Sequence, residues 1–369
     1  MEKPAQKRRR LAVLVNDMNA AGGIQRVAVH LVGLLGARYD ARLLTVEALE
    51  TPVFSEAGIP FHSLNCPRVH KGRLGYLWEL VRIGRTLRRY ILRERIEILL
   101  CIWYDWSSVA AWALPASVIK IGCEHIAFEE APRFWRLMRR LSYPRLHGVV
   151  GLTQADRPAL AQIAKRVWII PNGVPLQKAQ EIPREPILLS VGHLIPRKGF
   201  DRLLWALQAP LHAHPHWKLV FVGGGEQGHS DWSYLGYLAD LIRLLQLEGQ
   251  VVLCPATQDI DRWYRRASCY VMGSRQEGLP MVLIEAKAYG LPIVSFDCPT
   301  GPREILRPEI DGFLVSGNSQ AFGSAVQQLM EDEDLRQRMG QAAWEDVQAR
   351  FSLEAIAQQW FDLLESLTG

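Results

Sequence analysis

Short apolar runs alternate with stretches of helical spacing along the first half of the chain. Runs at 11–15, 41–46, 97–103, 118–123, 148–152 and 167–170 read as strands buried on both faces. Between them apolar positions recur at three- and four-residue intervals, as in 24–35, which predicts helices lying over a sheet. Residues 175–186 break the pattern with Pro175, Pro183 and Pro186 and few apolar side chains, and read as a linker. The alternation then restarts, with strands expected at 187–191, 218–222, 251–253, 269–272 and 292–296. Ser352 and Glu354, followed by an apolar pattern through Leu364, predict a capped final helix. Strands that alternate with helices predict parallel sheets. A chain of 369 residues exceeds the size at which one core keeps growing, so two α/β domains are expected.

Candidate chemistry falls where predicted strands end. The densest stretch is 274–285, in which Glu277 and Glu285 flank a Gly-Pro turn that enters a helix near Met281. That spacing lets both carboxylates face one pocket, Glu277 in the loop and Glu285 about one turn into the helix. Carboxylates accept hydrogen bonds from hydroxyls, which suits sugars and ribose, and a helix N-terminus beside them favours phosphate. After the strand at 187–191 comes Gly192-His193-Leu194-Ile195-Pro196-Arg197-Lys198-Gly199, whose adjacent Arg197 and Lys198 suit a diphosphate. Gly223-Gly224-Gly225 follows another strand and permits close ligand approach. In the first half, Gly22 and Gly23 separate a strand from a helix without the third glycine of a dinucleotide fingerprint. A plain tight turn gives the same pattern. Glu124 and His125 follow the strand ending at Cys123, a place open to both a catalytic and a structural histidine.

Charge changes the picture. Net charge is +5, but residues 1–176 carry 26 Lys and Arg against 14 Asp and Glu, a net of +12, which leaves −7 for the remainder. Part of that excess lies on two helical patterns. Residues 71–95 set Leu77, Leu80, Val81, Leu87 and Ile91 on one face and Arg82, Arg85 and Arg89 on another with Trp78. Residues 133–141 repeat the design with Phe134, Leu137, Met138 and Leu141 against Arg133, Arg136 and Arg140, with Trp135 nearby. An ordinary solvated helix face has this pattern, and so does a face that meets an anionic membrane; two in one domain favour the membrane. The apolar run after Arg8-Arg9-Arg10 is too short for a secretory signal, and no 18-residue apolar span occurs. The six scattered cysteines form no CxxC pair, so neither a zinc site nor a disulfide framework is indicated. The expected location is cytoplasmic, peripheral to the inner face of the cell membrane.

Over nearly its whole length the chain resembles the retaining glycosyltransferases of family 4, also called group 1. Glu277-Gly278-Leu279-Pro280 with Glu285 is similar to that family's Glu-x7-Glu motif, after Arg197-Lys198-Gly199 in the second domain. Residues 297–305, Asp297-Cys298-Pro299-Thr300-Gly301-Pro302-Arg303-Glu304-Ile305, resemble the loop of members that build bacterial surface polysaccharides. The resemblance implies the GT-B fold: two Rossmann-like domains facing across a cleft, at 1–176 for the acceptor and 177–352 for the nucleotide sugar, with 353–369 crossing back to the first. It makes Glu285 the partner of the ribose hydroxyls, Glu277 a contact to the donor sugar, and Lys198 and Arg197 the holders of the diphosphate, aided by Gly278 and Leu279 N–H groups. Gly22, Gly23, Gly192 and Gly224 would line the donor's approach, and His125 matches the family histidine near the reacting sugar. Two positions depart from the family pattern: His193 stands where many members have Arg, and Gln25 where many have an acidic residue.

The implied activity is anomer-retaining transfer of a hexose from a nucleotide diphosphate sugar, UDP-linked in preference to GDP-linked, to a sugar acceptor on a membrane lipid. Positive charge from Arg197, Lys198 and the helix dipole makes a metal unnecessary, and neither a metal, a cofactor nor a nucleic-acid partner is expected. Two other readings fit the architecture. A nucleotide-sugar epimerase has no use for the tryptophan-edged basic helices, and an inactive binding scaffold has little need of Glu277.

Overall fold

The computed structural model describes residues 8–19, 23–48, 59–67, 72–126, 128–176, 183–224 and 232–368. In the first half, β1 (Arg10–Val15), β2 (Asp40–Thr45), β3 (Phe61–Ser63), β4 (Ile98–Ile102), β5 (Ile119–Cys123), β6 (Gly148–Gly151) and β7 (Val167–Ile169) form one sheet in the order β3-β2-β1-β4-β5-β6-β7. In the second, β8 (Ile187–Val191), β9 (Lys218–Val222), β10 (Val251–Cys254), β11 (Cys269–Met272), β12 (Ile293–Phe296) and β13 (Gly312–Val315) pair in the order β10-β9-β8-β11-β12-β13. Each pairing is parallel, as in β1 with β2 (Val13 opposite Leu43) and β8 with β11 (Leu188 opposite Cys269). Both orders reverse direction beside their first strand. That is the Rossmann topology, which opens a crevice at the carboxyl ends of β1 and β4 and of β8 and β11.

The helices of the first half are α1 (Gly23–Leu35), α2 (Arg73–Arg93), α3 (Tyr104–Ala113), α4 (Arg133–Ser142) and α5 (Arg157–Ala161). Those of the second are α6 (Phe200–Ala213), α7 (Trp232–Leu244), α8 (Asp261–Arg266), α9 (Met281–Ala288), α10 (Pro302–Ile305), α11 (Ser319–Glu331) and α12 (Glu333–Phe351). The chain ends in α13 (Leu353–Thr368). Two compact units result: Met1–Asn172 together with Leu353–Gly369, and Gly173–Ser352. The boundary falls four residues before the expected 176/177. The last helix belongs to the first unit, where Ile356, Trp360, Phe361 and Leu364 join Leu11, Val13, Val29 and Leu35 in one core, and Phe361 stacks on Tyr39 at 6.5 Å. The core of the second unit gathers Phe200, Leu204, Phe221, Leu238, Val271, Phe296 and Phe322. All six cysteines are free. Among the described residues no helix is long and apolar enough to cross a membrane.

Two strands, β3 and β13, were not expected from the pattern. Both are short edge strands, and α3 begins at Tyr104, directly after the apolar run of β4.

Candidate active site

At the crevice of the second sheet two loops touch. The loop after β8 ends in a single helical turn, Pro196–Lys198, and closes at Gly199, whose φ of +66° suits glycine. The loop after β11 starts at Gly273, and a Cβ on Gly199 would lie 2.0 Å from the Gly273 carbonyl oxygen, so a side chain there would push the loops apart. Their contact brings Lys198 to Glu277: Nζ donates to Oε1 at 2.6 Å, and the Ser274 hydroxyl donates to the same oxygen at 2.6 Å. Glu277 is buried and Lys198 part-buried. From behind, Thr300 Oγ1 donates to the Glu277 carbonyl, so the 297–301 loop supports the carboxylate's own backbone.

Arg275, which the sequence reading left without a role, fastens the two loops. Its guanidinium makes paired bonds to Asp201 at 2.9 and 2.7 Å and donates to the Pro196 carbonyl at 2.6 Å, while its N–H donates to the Arg197 carbonyl at 2.9 Å. Tyr234 donates to Asp201 at 2.7 Å. Arg197 itself is exposed, with one long contact to the Gln276 carbonyl at 3.4 Å, and is free to turn to a ligand.

Gly278 and Leu279 lead to Pro280, which precedes α9 without a side-chain cap. The first turn of that helix therefore presents N–H groups with no intrahelical acceptor beside Glu277, an arrangement that attracts phosphate. One turn further along, Glu285 accepts from the buried Tyr264 hydroxyl at 2.9 Å, and Tyr264 stacks on Tyr289 at 5.1 Å. Burial, then Glu285, drives the Tyr264 pKa well above the usual phenol value, so it stays a donor to that carboxylate. On the other side of Lys198, Gly192 donates to Val222 at 3.0 Å and Leu194 to Gly224 at 3.0 Å. A Cβ on Gly223 would meet the Gly192 oxygen at 1.8 Å, so the two backbones touch there. His193 points outward and is exposed.

In the first unit Gly23 opens α1, and Gly22 lies outside the described residues, as does Gly225 in the second. His125 follows β5, part-buried, and burial pushes its pKa down to about 4, so its ring is neutral at pH 7. Both sides of its loop are held by one side chain. Arg139 of α4 donates to Glu124 Oε2 at 2.7 Å and to the Phe128 carbonyl at 2.6 Å, and its guanidinium lies over the Phe128 ring at 4.3 Å. Tyr143 donates to the second Glu124 oxygen, and the Glu124 N–H donates to Val150 at 2.9 Å.

This cluster overturns the expected orientation of α4. Its inward face is Trp135, Arg139 and Ser142, and Phe134, Leu137 and Leu141 stand 40%, 53% and 49% exposed. The buried Glu124 needs a cation, and Arg139 supplies it at the cost of turning apolar side chains to the surface. In α2 Leu87 and Ile91 are inward, with Ile83 and Tyr90, and Trp78 is exposed, as the spacing predicts, but Leu77 and Val81 of the apolar set are exposed too. Leu77, Leu80 and Val81 of α2, Trp112 of α3, and Phe134 and Met138 of α4 line an apolar groove of about 390 Å³ edged by Arg85 and Arg88. Arg89, Arg133 and Arg140 are exposed nearby on the same helices, Arg82 donates to the Pro67 carbonyl at 2.8 Å, and Arg136 pairs with Glu129.

Residues 21–178 match the family described as Glycosyltransferase Family 4, and residues 176–346 the one described as Glycosyl transferases group 1. The amylovoran biosynthesis glycosyltransferase AmsD of Erwinia amylovora is 32% identical over 96% of this chain and 99% of its own length. The chain belongs to glycosyltransferase family 4, group 1. The Campylobacter jejuni enzyme named as an N-acetyl-D-galactosaminyltransferase acting on a PP-undecaprenol saccharide is 24% identical over 63% of this chain and 64% of its own. Among solved structures, Anabaena Alr3699/HepE in complex with UDP covers 97% of this glycosyltransferase and 100% of itself at a TM-score of 0.80 and 20% identity, which shows the shared GT-B fold.

Several residues that hold the candidate side chains of one unit or the other in place were not marked by the sequence. Ser274 and Arg275 stand beside the Glu277 motif, where nearness to the motif was the available signal. Asp201, Tyr264 and Arg139 carry no local signal, because each acts on a partner at least 15 residues away. Among the described residues no three His, Cys, Asp or Glu gather as a metal site.

Proposed function

We propose that this glycosyltransferase moves a hexose from a uridine diphosphate sugar, with retention at the anomeric carbon, to a sugar acceptor on a membrane lipid in surface-polysaccharide assembly. It works bound to the cytoplasmic face of the membrane. The observation that carries the reading is the Lys198–Glu277 contact at the second sheet's crevice, beside the uncapped start of α9. A diphosphate arriving there meets the Lys198 amine, the mobile Arg197 guanidinium and the helix N–H groups. Glu277 then turns from Lys198 to the donor sugar's hydroxyls, and Glu285, held by Tyr264, takes the ribose.

In the reaction the bond from the anomeric carbon to the leaving phosphate oxygen breaks and the acceptor hydroxyl bonds to that carbon from the same face. The departing phosphate oxygen takes the hydroxyl proton. Negative charge grows on the diphosphate as positive charge grows on the sugar ring, and the cationic cluster stabilises the first. Neither carboxylate has to move a proton. The positive charge that a divalent cation would bring is supplied by side chains, so turnover should be unchanged by EDTA.

The UDP assignment is supported by the HepE complex, and the glycan context by the names of the AmsD and Campylobacter relatives. Lipid carriage is supported by the apolar, arginine-edged groove of α2, α3 and α4. Glu277→Ala tests the site: transfer should fall by about 100-fold or more while circular dichroism and Tm report a folded protein. Incubation with UDP-sugar alone should give slow hydrolysis or none; an epimerised sugar would favour the epimerase instead.

A further inference from the structure

At the amino ends of β5, β6 and β7, the edge of the first sheet away from His125, lies a pocket of about 700 Å³. Five basic side chains line it: Lys120, Arg145, His147, Lys165 and Arg166, with Leu367 of α13 on one wall. Lys120 is 3% exposed, and its Nζ donates to the carbonyls of Leu114 at 3.2 Å and Pro115 at 3.0 Å. An ammonium has three donors, so one remains. The Lys120 N–H donates to His147 Nδ1 at 3.1 Å, which locks the imidazole against the lysine's own backbone. Arg145 is held at the rim by its cation–π contact with Trp112 at 3.7 Å and a bond to the Leu141 carbonyl at 2.8 Å.

The five groups bring no carboxylate with them: among the described residues none of them makes an ion pair. Three of the cations act on the histidine instead. Burial first, then Lys120, Arg166 and Lys165, hold the His147 pKa below its ordinary value. A buried lysine that has only carbonyl partners, in a pocket lined by three further cations, lacks a counter-charge, and this open pocket has room for one. We propose that the pocket binds a small, multiply charged phosphate anion, at a site separate from the donor's. Lys120 supplies the buried donor, and Lys165, Arg166 and Arg145 close over the anion from solvent. Lys120 is the second residue of β5, the strand that Glu124 and His125 follow, roughly 15 Å away at the usual rise per residue. An anion there would therefore brace the base of the same β-strand and the end of α13.

Isothermal calorimetry on the full chain with inorganic pyrophosphate tests this. The background is Lys198→Ala, which disables the proposed donor site and leaves this pocket intact. Pyrophosphate should still bind that variant, with one site per chain. Adding Lys165→Ala and Arg166→Ala, both exposed and without structural partners, should weaken that binding by about tenfold or more. Loss of all pyrophosphate binding with Lys198→Ala would overturn the proposal, as would binding indifferent to the Lys165 and Arg166 changes. Equal heats from chloride at matched ionic strength would also overturn it, as an adventitious ion only. A failure here leaves the Glu277 reading untouched, since that is judged by transfer activity.

Discussion

At the residue scale, three candidate carboxylates, two in the second unit and one in the first, each have their own partners. Glu277 is matched by Lys198 and Ser274, Glu285 by Tyr264, and Glu124 by Arg139 and Tyr143. These partners assign different duties. Glu285 touches ribose in the proposed reading, so Glu285→Ala should raise the donor KM with a much smaller change in kcat, the mark of lost uniform binding. Steady-state kinetics against UDP-sugar checks it. His125 should titrate near pH 4 by NMR, because burial disfavours its cation. The sign follows: the unfolded chain takes up this proton near pH 6.5 and the folded one only near 4, so His125 makes stability fall as pH drops through that window. A ring pKa at the ordinary value would contradict the desolvation that keeps this ring neutral. The Glu277 motif and the Arg197-Lys198 pair were legible in sequence because their chemistry is concentrated in a few adjacent residues. The fastening by Arg275 and Asp201 was not, since their bond spans two loops that only the fold brings together.

At the scale of elements, strands were easier to read than helix faces. Buried parallel strands are apolar on both sides and stand out from their polar flanks, whereas β3 and β13 are short edges with little pattern to show. The face of α4 and part of that of α2 were misread for a physical reason. Periodicity identifies an apolar stripe but not what lies beneath it, and under α4 lies Glu124, which draws Arg139 inward. α9 has a comparable hidden anchor. Lys287, fully buried, donates to Asp311 at 2.9 Å and pairs with Asp346, while Arg307 and Arg350 close the cluster from the rim. It ties the helix that carries Glu285 to α12. Lys287→Met should therefore cost about 3–5 kcal/mol, because two buried carboxylates lose their shared cation, and urea denaturation measures it. Burial alone would raise the Asp346 pKa, but bonds from Arg350 and Lys287 outweigh it and hold it below the ordinary value. Its contribution is complete above the unfolded pKa of about 4 and is lost as pH falls through the lower folded value.

At the scale of the molecule, the division of charge gains a structural meaning. The basic first unit carries an exposed apolar groove among arginines, and the acidic second carries the Lys198–Glu277 pair at its sheet's crevice. Cosedimentation with phosphatidylglycerol vesicles should show binding that weakens as salt rises and that the triple change Phe134→Ser, Leu137→Ser, Leu141→Ser abolishes. Equal partition onto neutral vesicles would separate the enzyme from an anionic surface. The fold class and both crevices followed from the alternation of strands and helices; the donor and the acceptor follow from chemistry that transfer itself must test. The most direct measurement is the rate and anomeric configuration of hexose transfer from UDP-sugar to a lipid-linked acceptor, compared between the native enzyme, Glu277→Ala and Lys198→Ala. The account predicts a product with the donor's anomeric configuration and rates at least about 100-fold lower in both folded variants. Native rates in either variant, or an inverted product, would contradict it.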